Sequence, residues 1–130
     1  MSEAIVQSVF AAVSAGDYAR LADFMADDLV FELPYGPSFL PKRFESLELW
    51  NQMQLATFAM FESFDERLDV VYQLVEDDAL ICEYSSRAVV KTTGTEYLNS
   101  YIGIFRFRDG KITFWREFHN PEAVRKALGG

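Results

Sequence analysis

Apolar and polar positions along this chain follow two different periods, and the change from one to the other organises it. Ile5, Val6, Val9, Phe10 and Val13 fall at i, i+3, i+4 spacing, which predicts an amphipathic first helix with Ser2 placed to cap it and Gly16 just past its end. Asp17 is a good N-cap for a shorter second helix with Leu21, Phe24 and Met25 on its buried side, closed by Asp27-Asp28. Leu29, Phe31 and Leu33 alternate and predict a short strand, broken by Pro34-Tyr35-Gly36-Pro37, with an irregular loop to about Pro41. Residues 42–45 suit a very short strand. Ser46 then caps a third helix over 47–61, whose stripe is Trp50, Met53, Thr57 and Met60/Phe61.

Beyond the third helix the period becomes two. Residues 67–75 read as a strand turned by Glu76-Asp77-Asp78, and 79–91 as another turned by Thr92-Thr93-Gly94. The stretch 95–121, TEYLNSYIGIFRFRDGKITFWREFHNP, reads as a long strand, a tight Asp-Gly hairpin and a second long strand. Pro121 stops that strand and opens a last short helix over 122–128, because its missing N–H is not needed in a first turn. Three helices with a short strand among them, then a four-strand antiparallel meander, predict an α+β single domain over 1–130. A twisted meander covered on one face by helices makes a half-open cone, and its mouth is the natural place for a ligand.

Which residues meet depends on the hairpin at Arg108-Asp109-Gly110-Lys111. A two-residue type I′ loop would pair Phe107 with Ile112 and set Glu117 beside Ile102, on the face opposite Tyr101. A three-residue loop with Gly110 in a bulge would pair Phe107 with Lys111, Glu117 with Tyr101 and His119 with Asn99. Both remain open on pattern alone.

Composition narrows the function. Twelve Phe, six Tyr and two Trp supply more aromatic surface than a core of this size needs, so some of it is free to line a pocket or a subunit interface. A net charge of −8 argues against nucleic acid and anionic membranes as partners. The single Cys cannot form an internal disulfide, there is no basic start to a signal peptide, and no apolar run approaches the ~18 residues of a membrane span. A cytoplasmic setting is expected.

LPYGPSFLPKRFES after the first strand, CEYSSR on the second meander strand, GTEYLNSYIGIF, FRDGKI and WREFHNP with its closing helix together resemble the SnoaL-like branch of the NTF2-like, ketosteroid-isomerase-type superfamily. The likeness covers most of the chain from Leu33 onward. It is nearest to phenazine-biosynthesis A/B-like proteins and more distant to limonene-epoxide hydrolases. It implies a cone-shaped, curved antiparallel sheet wrapped by N-terminal helices, a homodimer through the outer sheet face, and a pocket faced by the positions of Asn99, Tyr101, Gly103 and Glu117. That pocket face favours the bulged three-residue hairpin. The superfamily hosts isomerases, cyclases, dehydratases, hydrolases and non-enzymes, so the resemblance specifies fold more than reaction.

Within this frame the candidate catalytic residues are Glu117, whose phenazine-branch counterpart is a catalytic acid, and His119, the only histidine. A carboxyl group facing aromatic rings has its pKa raised by desolvation and suits acid–base work; the structural alternative is a carboxylate bonded to Tyr101, Asn99 or an Arg. His119 is suited to shuttling a proton, or else is a hydrogen-bonding residue near a strand end. Asn99 and Tyr101 are expected to hold a carbonyl oxygen or orient Glu117, with Tyr97 nearer the open end. Tyr35 in the Pro-Gly loop, Trp50 and Met53 on the third helix, and Trp115 are candidate ligand-binding walls. Glu83 is a further ligand-binding candidate, forming with Arg87 either an interior ion pair beside Glu117 or a solvated pair. The Arg-x-Asp pair of the epoxide hydrolases is not reproduced, and Gln52 or a neighbour stands where the phenazine branch has a histidine. No ligand spacing for a metal is present and no cofactor is expected. The expectation is a small hydrophobic ligand in a cofactor-free acid–base enzyme; a non-catalytic binding or interaction module is the alternative.

Overall fold

The computed structural model describes residues 2–76 and 78–129. Helix α1 (Ser2–Ser14) buries Val6, Val9, Phe10 and Val13, the stripe its spacing dictates. It ends on Gly16 at φ +76°, where Gly16 N–H donates to Val13 O and Asp17 N–H to Ala12 O. This is the reverse turn that a glycine past a helix end permits.

The second helix differs from its expectation. Tyr18–Phe24 is a 3-10 helix, and the Asp17 side chain makes no capping bond. Met25, Asp27 and Asp28, expected to finish a helix, belong to strand β1 (Met25–Glu32). Pairing decides this: β1 runs parallel to strand β6 (Lys111–His119), with Met25 opposite Ile112 and Phe31 opposite Trp115. Ladder hydrogen bonds at both ends of β1 outweigh the local helical preference of Ala and Met.

Strand β2 (Arg43–Phe44) pairs with β1, and helix α2 (Leu47–Phe58) follows, its cap Ser46 accepting a bond from Leu49 N–H at 3.2 Å. α2 stops before Met60 because Phe61 opens strand β3 (Phe61–Gln73), six residues earlier than the alternation at 67–75 suggested. Along β3 the ladder to strand β4 (Ala79–Val90) runs from Phe61↔Val90 to Gln73↔Leu80. The turn between them includes Asp77, which lies outside the described residues. Strand β5 (Glu96–Arg108), β6 and helix α3 (Pro121–Leu128) complete the chain. The sheet order is β2-β1-β6-β5-β4-β3, with β3 to β6 forming the antiparallel meander. The sheet is curved and unclosed, an α+β fold. No helix among the described residues is long and apolar enough to cross a membrane.

The hairpin corrects the three-residue reading. Asp109 and Gly110 both have positive φ, +53° and +77°, and Arg108 pairs with Lys111 and Phe107 with Ile112. This is the two-residue loop. Glu117 nevertheless reaches the Tyr101 face, because the register slips one residue further on, where Arg106 pairs with Phe114. Thr113 is the extra residue, its hydroxyl donating to Arg106 O at 3.2 Å. Beyond this bulge Gly103 stands opposite Glu117 and Tyr101 opposite His119.

Inward on β5 lie Tyr97, Asn99, Tyr101, Gly103, Phe105 and Phe107; inward on β4 lie Leu80, Cys82, Tyr84, Ser86, Ala88 and Val90. The outer face leaves Val70, Tyr72, Leu98 and Ile102 exposed.

Asn99 ties the last helix to the sheet. Its amide donates to Asn120 O at 3.1 Å and to the Tyr97 hydroxyl at 2.7 Å, while its carbonyl accepts from Asn120 N–H at 3.0 Å. Asn120 in turn caps α3 through Glu122 N–H. Asn99→Ala is expected to cost about 2–3 kcal/mol, the loss of several buried hydrogen bonds. Urea denaturation measures this, and hydrogen exchange should show α3 amides losing protection before those of β5.

Candidate functional site

The concave side of the sheet, α1, α2 and α3 enclose a cavity of about 170 Å³. Its walls include Trp50 and Met53 from α2, Phe61 and Phe64 from β3, Tyr97 from β5 and Trp115 from β6. Glu66, Glu117, His119 and Gln54 are among the groups that give it polar character. A wider space of about 750 Å³ outside it is lined by Tyr35, Phe39, Lys91 and Arg125, among others. His119, Phe39, Met60 and α3 residues Val124 and Leu128 border both spaces, so the loop after β1 and the last helix frame the mouth.

Glu117 is built into this wall by three neighbours. Its position opposite Gly103 leaves room that a side chain would fill: a Cβ on Gly103 would lie 2.7 Å from the Tyr84 hydroxyl oxygen and 2.7 Å from the Phe105 ring. Through that gap Tyr84 donates to Glu117 Oε1 at 2.7 Å, and the same hydroxyl accepts from Trp115 Nε1 at 3.0 Å. Burial pushes the Glu117 carboxyl up to about 7, and the Tyr84 bond, which favours the charged form, opposes this only in part.

Glu66 is the second carboxyl of the cavity. It sits on β3 opposite Ser86, inward like Phe64 and Leu68, with no hydrogen bond or ion pair to its side chain among the described residues. The residue is half-buried; desolvation, then the Glu117 charge, holds its carboxyl well above the usual carboxylate range. His119 is pushed the other way, by burial first and the Lys42 cation second, so it is neutral near pH ~7. Its Nε2 has no hydrogen-bond partner among the described residues.

The remaining candidates divide. Tyr97 and Tyr101 line the cavity, but their hydroxyls are engaged with each other at 3.1 Å, and Tyr101 also meets Ser86 Oγ at 2.7 Å. Burial raises both phenols. Asn99 is inward but committed to Asn120 and Tyr97, so it serves α3 rather than an oxyanion. Tyr35 is 59% exposed and lies beside Phe118, on the rim of the outer space rather than in the cavity. Glu83 is on the outer face, where it accepts from Tyr72 at 2.6 Å, and Arg87 pairs there with Glu96. The interior pair with Glu117 therefore does not form: β4 presents the other parity inward.

Pattern reasoning passed over Glu66, Tyr84 and Gln54. The signals were present. Phe64, Glu66 and Leu68 alternate, and Cys82, Tyr84 and Ser86 hold the parity opposite to the charges at Glu83 and Arg87. Among the described residues no group of three His, Cys, Asp or Glu side chains converges as a metal site. Cys82 is inward and buried, its thiol pushed up to about 12 by desolvation, and so is no nucleophile.

A curved, unclosed sheet whose concave face, helices and inward carboxyls enclose an apolar cavity defines the ketosteroid-isomerase-like, NTF2-like class of fold. Within that class the chain belongs to the SnoaL-like family: the SnoaL-like domain model matches residues 6–115. A PhzA/B-like protein of Pseudomonas aeruginosa is 33% identical over 122 residues, spanning 88% of this chain and 81% of the relative. A Bacillus subtilis crystal structure whose isomerase name is provisional is 27% identical, with a TM-score of 0.90 over 99% of this chain and 93% of that one. A Catenulispora acidiphila protein with a ketosteroid isomerase-like fold, solved with trimethylamine, matches at a TM-score of 0.79 and 19% identity over 96% and 92% of the two chains.

Two outcomes test this electrostatic picture. Tyr84→Phe removes a donor that favours the carboxylate, so the Glu117 pKa should rise above about 7, as read by carbon-13 NMR titration. Stability should also depend on Glu117. Its folded pKa of about 7 exceeds the ordinary 4.5, so the folded state binds the extra proton. That stability is complete below the ordinary value and is lost as pH rises through the folded one, about 3 kcal/mol in all. Glu117→Gln should flatten the decline measured by denaturation between about pH 5 and 8, leaving the part due to Glu66.

Proposed function

We propose that the cavity binds a small, largely apolar metabolite bearing a carbonyl or imine, and that Glu117 transfers a proton on it without a cofactor. The observation that carries this reading is one enclosed carboxyl with a pKa of about 7, one oxygen held by Tyr84, facing aromatic walls. A group with a pKa near the working pH serves both as base and as acid. As carboxylate, Glu117 takes a proton from the carbon beside the C=O or C=N bond. The C–H electron pair becomes a new C=C bond, and the π electrons of the original double bond move to oxygen or nitrogen. In a substrate with a C=C bond next to that carbon, the electrons on oxygen or nitrogen re-form the original double bond, and the new C=C pair shifts one bond along. The old C=C pair takes the proton back from the same carboxyl at its far carbon, so the net change is a C=C bond moved into conjugation. Glu66, its carboxyl held well above the usual carboxylate range by burial and by the Glu117 charge, is the second acid facing the reacting group. Aromatic rings exclude water and strengthen both interactions. The isomerase name carried by the Bacillus subtilis relative agrees with this chemistry.

A thermal-shift screen of hydrophobic ketones, enones, imines and epoxides finds the binders, and turnover assays follow on the hits. Glu117→Gln should lower kcat by about 100-fold or more while leaving Kd within a few-fold, the signature of a proton-transfer group. Equal loss of binding and turnover would assign Glu117 to recognition in a binding module, and unchanged turnover would remove it from the mechanism.

A further inference from the structure

We infer that the ligand is longer than the inner cavity and ends in a carboxylate, held outside the mouth by Lys91 and Arg125. This rests on the cavity being the ligand site proposed above, and it names the class of compound: a keto acid whose carbonyl end lies inward and whose anionic end lies outward.

The two spaces adjoin. Pro37, Phe39, Met60, His119, Val124 and Leu128 border both, and the inner space of about 170 Å³ leads to an outer one of about 750 Å³. The inner volume is close to that of a ~150 Å³ cavity that takes up benzene, so one ring fills it and the rest of a larger molecule lies outside. The outer space offers that remainder an apolar wall. Phe39 is 77% exposed, and Tyr35, Met60 and Leu128 are exposed around the same space. A ligand's chain laid over these side chains removes apolar surface from water on both partners.

Charge sets what ends the chain. The protein carries 20 acidic and 12 basic side chains, yet the residues lining the outer space include Lys91 and Arg125 and no Asp or Glu. Lys91 N–H donates to Met60 O at 2.9 Å, which pins its backbone to the rim. Its ammonium makes no ion pair among the described residues. Arg125 is shared with Glu122, three residues earlier on α3, and so is partly neutralised. Lys42, bonded to Gly36 O in the loop after β1, adds a cation close enough to act on His119 at the same mouth. About one uncompensated positive charge therefore stands on the outer wall, which matches a carboxylate monoanion better than a phosphate dianion. The inner cavity has no Lys or Arg among its described lining residues, so the carboxylate finds its cations only outside. The molecule enters apolar end first, and that direction sets its carbonyl toward Glu117.

Isothermal titration at about pH 7 and low salt compares γ-benzoylbutyrate, its neutral primary amide and acetophenone. The acid should bind about fivefold or more tighter than its amide, and both should bind tighter than acetophenone because their chains cover the apolar rim. Added salt should erase the advantage of acid over amide and leave the amide unchanged. Lys91→Met together with Arg125→Gln removes both charges at exposed positions, so a cooperative unfolding transition is retained. It should bring the affinity for the acid to that for the amide. Glu122→Gln releases Arg125 from its partner and should strengthen binding of the acid, a gain that a damaged fold does not give. The inference is overturned if the acid binds no tighter than its amide, if its advantage survives the double substitution, or if Glu122→Gln brings no gain. Acetophenone binding in any of those cases leaves the proton-transfer reading standing. Failure of all three probes to bind the folded protein removes both.

Discussion

One extra residue on a strand decides what this molecule can do. The Asp109-Gly110 loop, taken alone, would turn Glu117 to the outer face, beside Ile102, where water would hold it at an ordinary carboxylate pKa. Thr113 adds one residue to β6 without adding one to β5, and every side chain after it changes sides. The acid then enters a space walled by rings. The desolvation that raises its pKa, the bond from Tyr84 and the placement of His119 all follow from that single slip.

The void at Gly103 completes the arrangement. A side chain there would collide with the Tyr84 hydroxyl, so the absence of a Cβ keeps a phenol within 2.7 Å of the carboxyl. Trp115 donates to the same oxygen from the other side, which fixes the direction of the phenol proton toward Glu117. A buried acid with no donor at all would be held more firmly protonated, and one paired with an arginine would be fully ionised. One neutral donor leaves it between those extremes, where both protonation states are populated near neutrality.

Local chemistry was legible where one residue type answers one geometric need. Gly16 ends a helix at positive φ, Ser46 caps another, Pro121 opens a third, and Asp109-Gly110 turns a hairpin. The α+β order and the four-strand meander follow from those signals and from the period-two runs. Features that depend on a distant partner were not legible. Met25 looks helical until Ile112 lies beside it, and β3 begins among acidic residues that weaken strand preference until β4 pairs with it. The parity of β4 stayed open between an interior and a solvated Glu83–Arg87 pair, and the solvated reading holds, since charges at alternate positions mark the wet face. The face of Glu117 came out right although the hairpin did not, since the one-residue slip occurred in the strand instead of in the loop. Asn99 shows the remaining limit: its inward direction was readable, but its partner is the backbone of Asn120, and no side-chain pattern announces a backbone partner.

The strand that carries Glu117 is last of the six in sequence yet lies third in the sheet, between β1 and β5. Until it inserts, β1 and β5 each have an open edge, and the cavity lacks Trp115, Glu117 and His119 together. Such long-range pairing is slow to form and cooperative once formed. Any change that weakens the parallel seam between β1 and β6 then reaches the acid even from positions that never touch it.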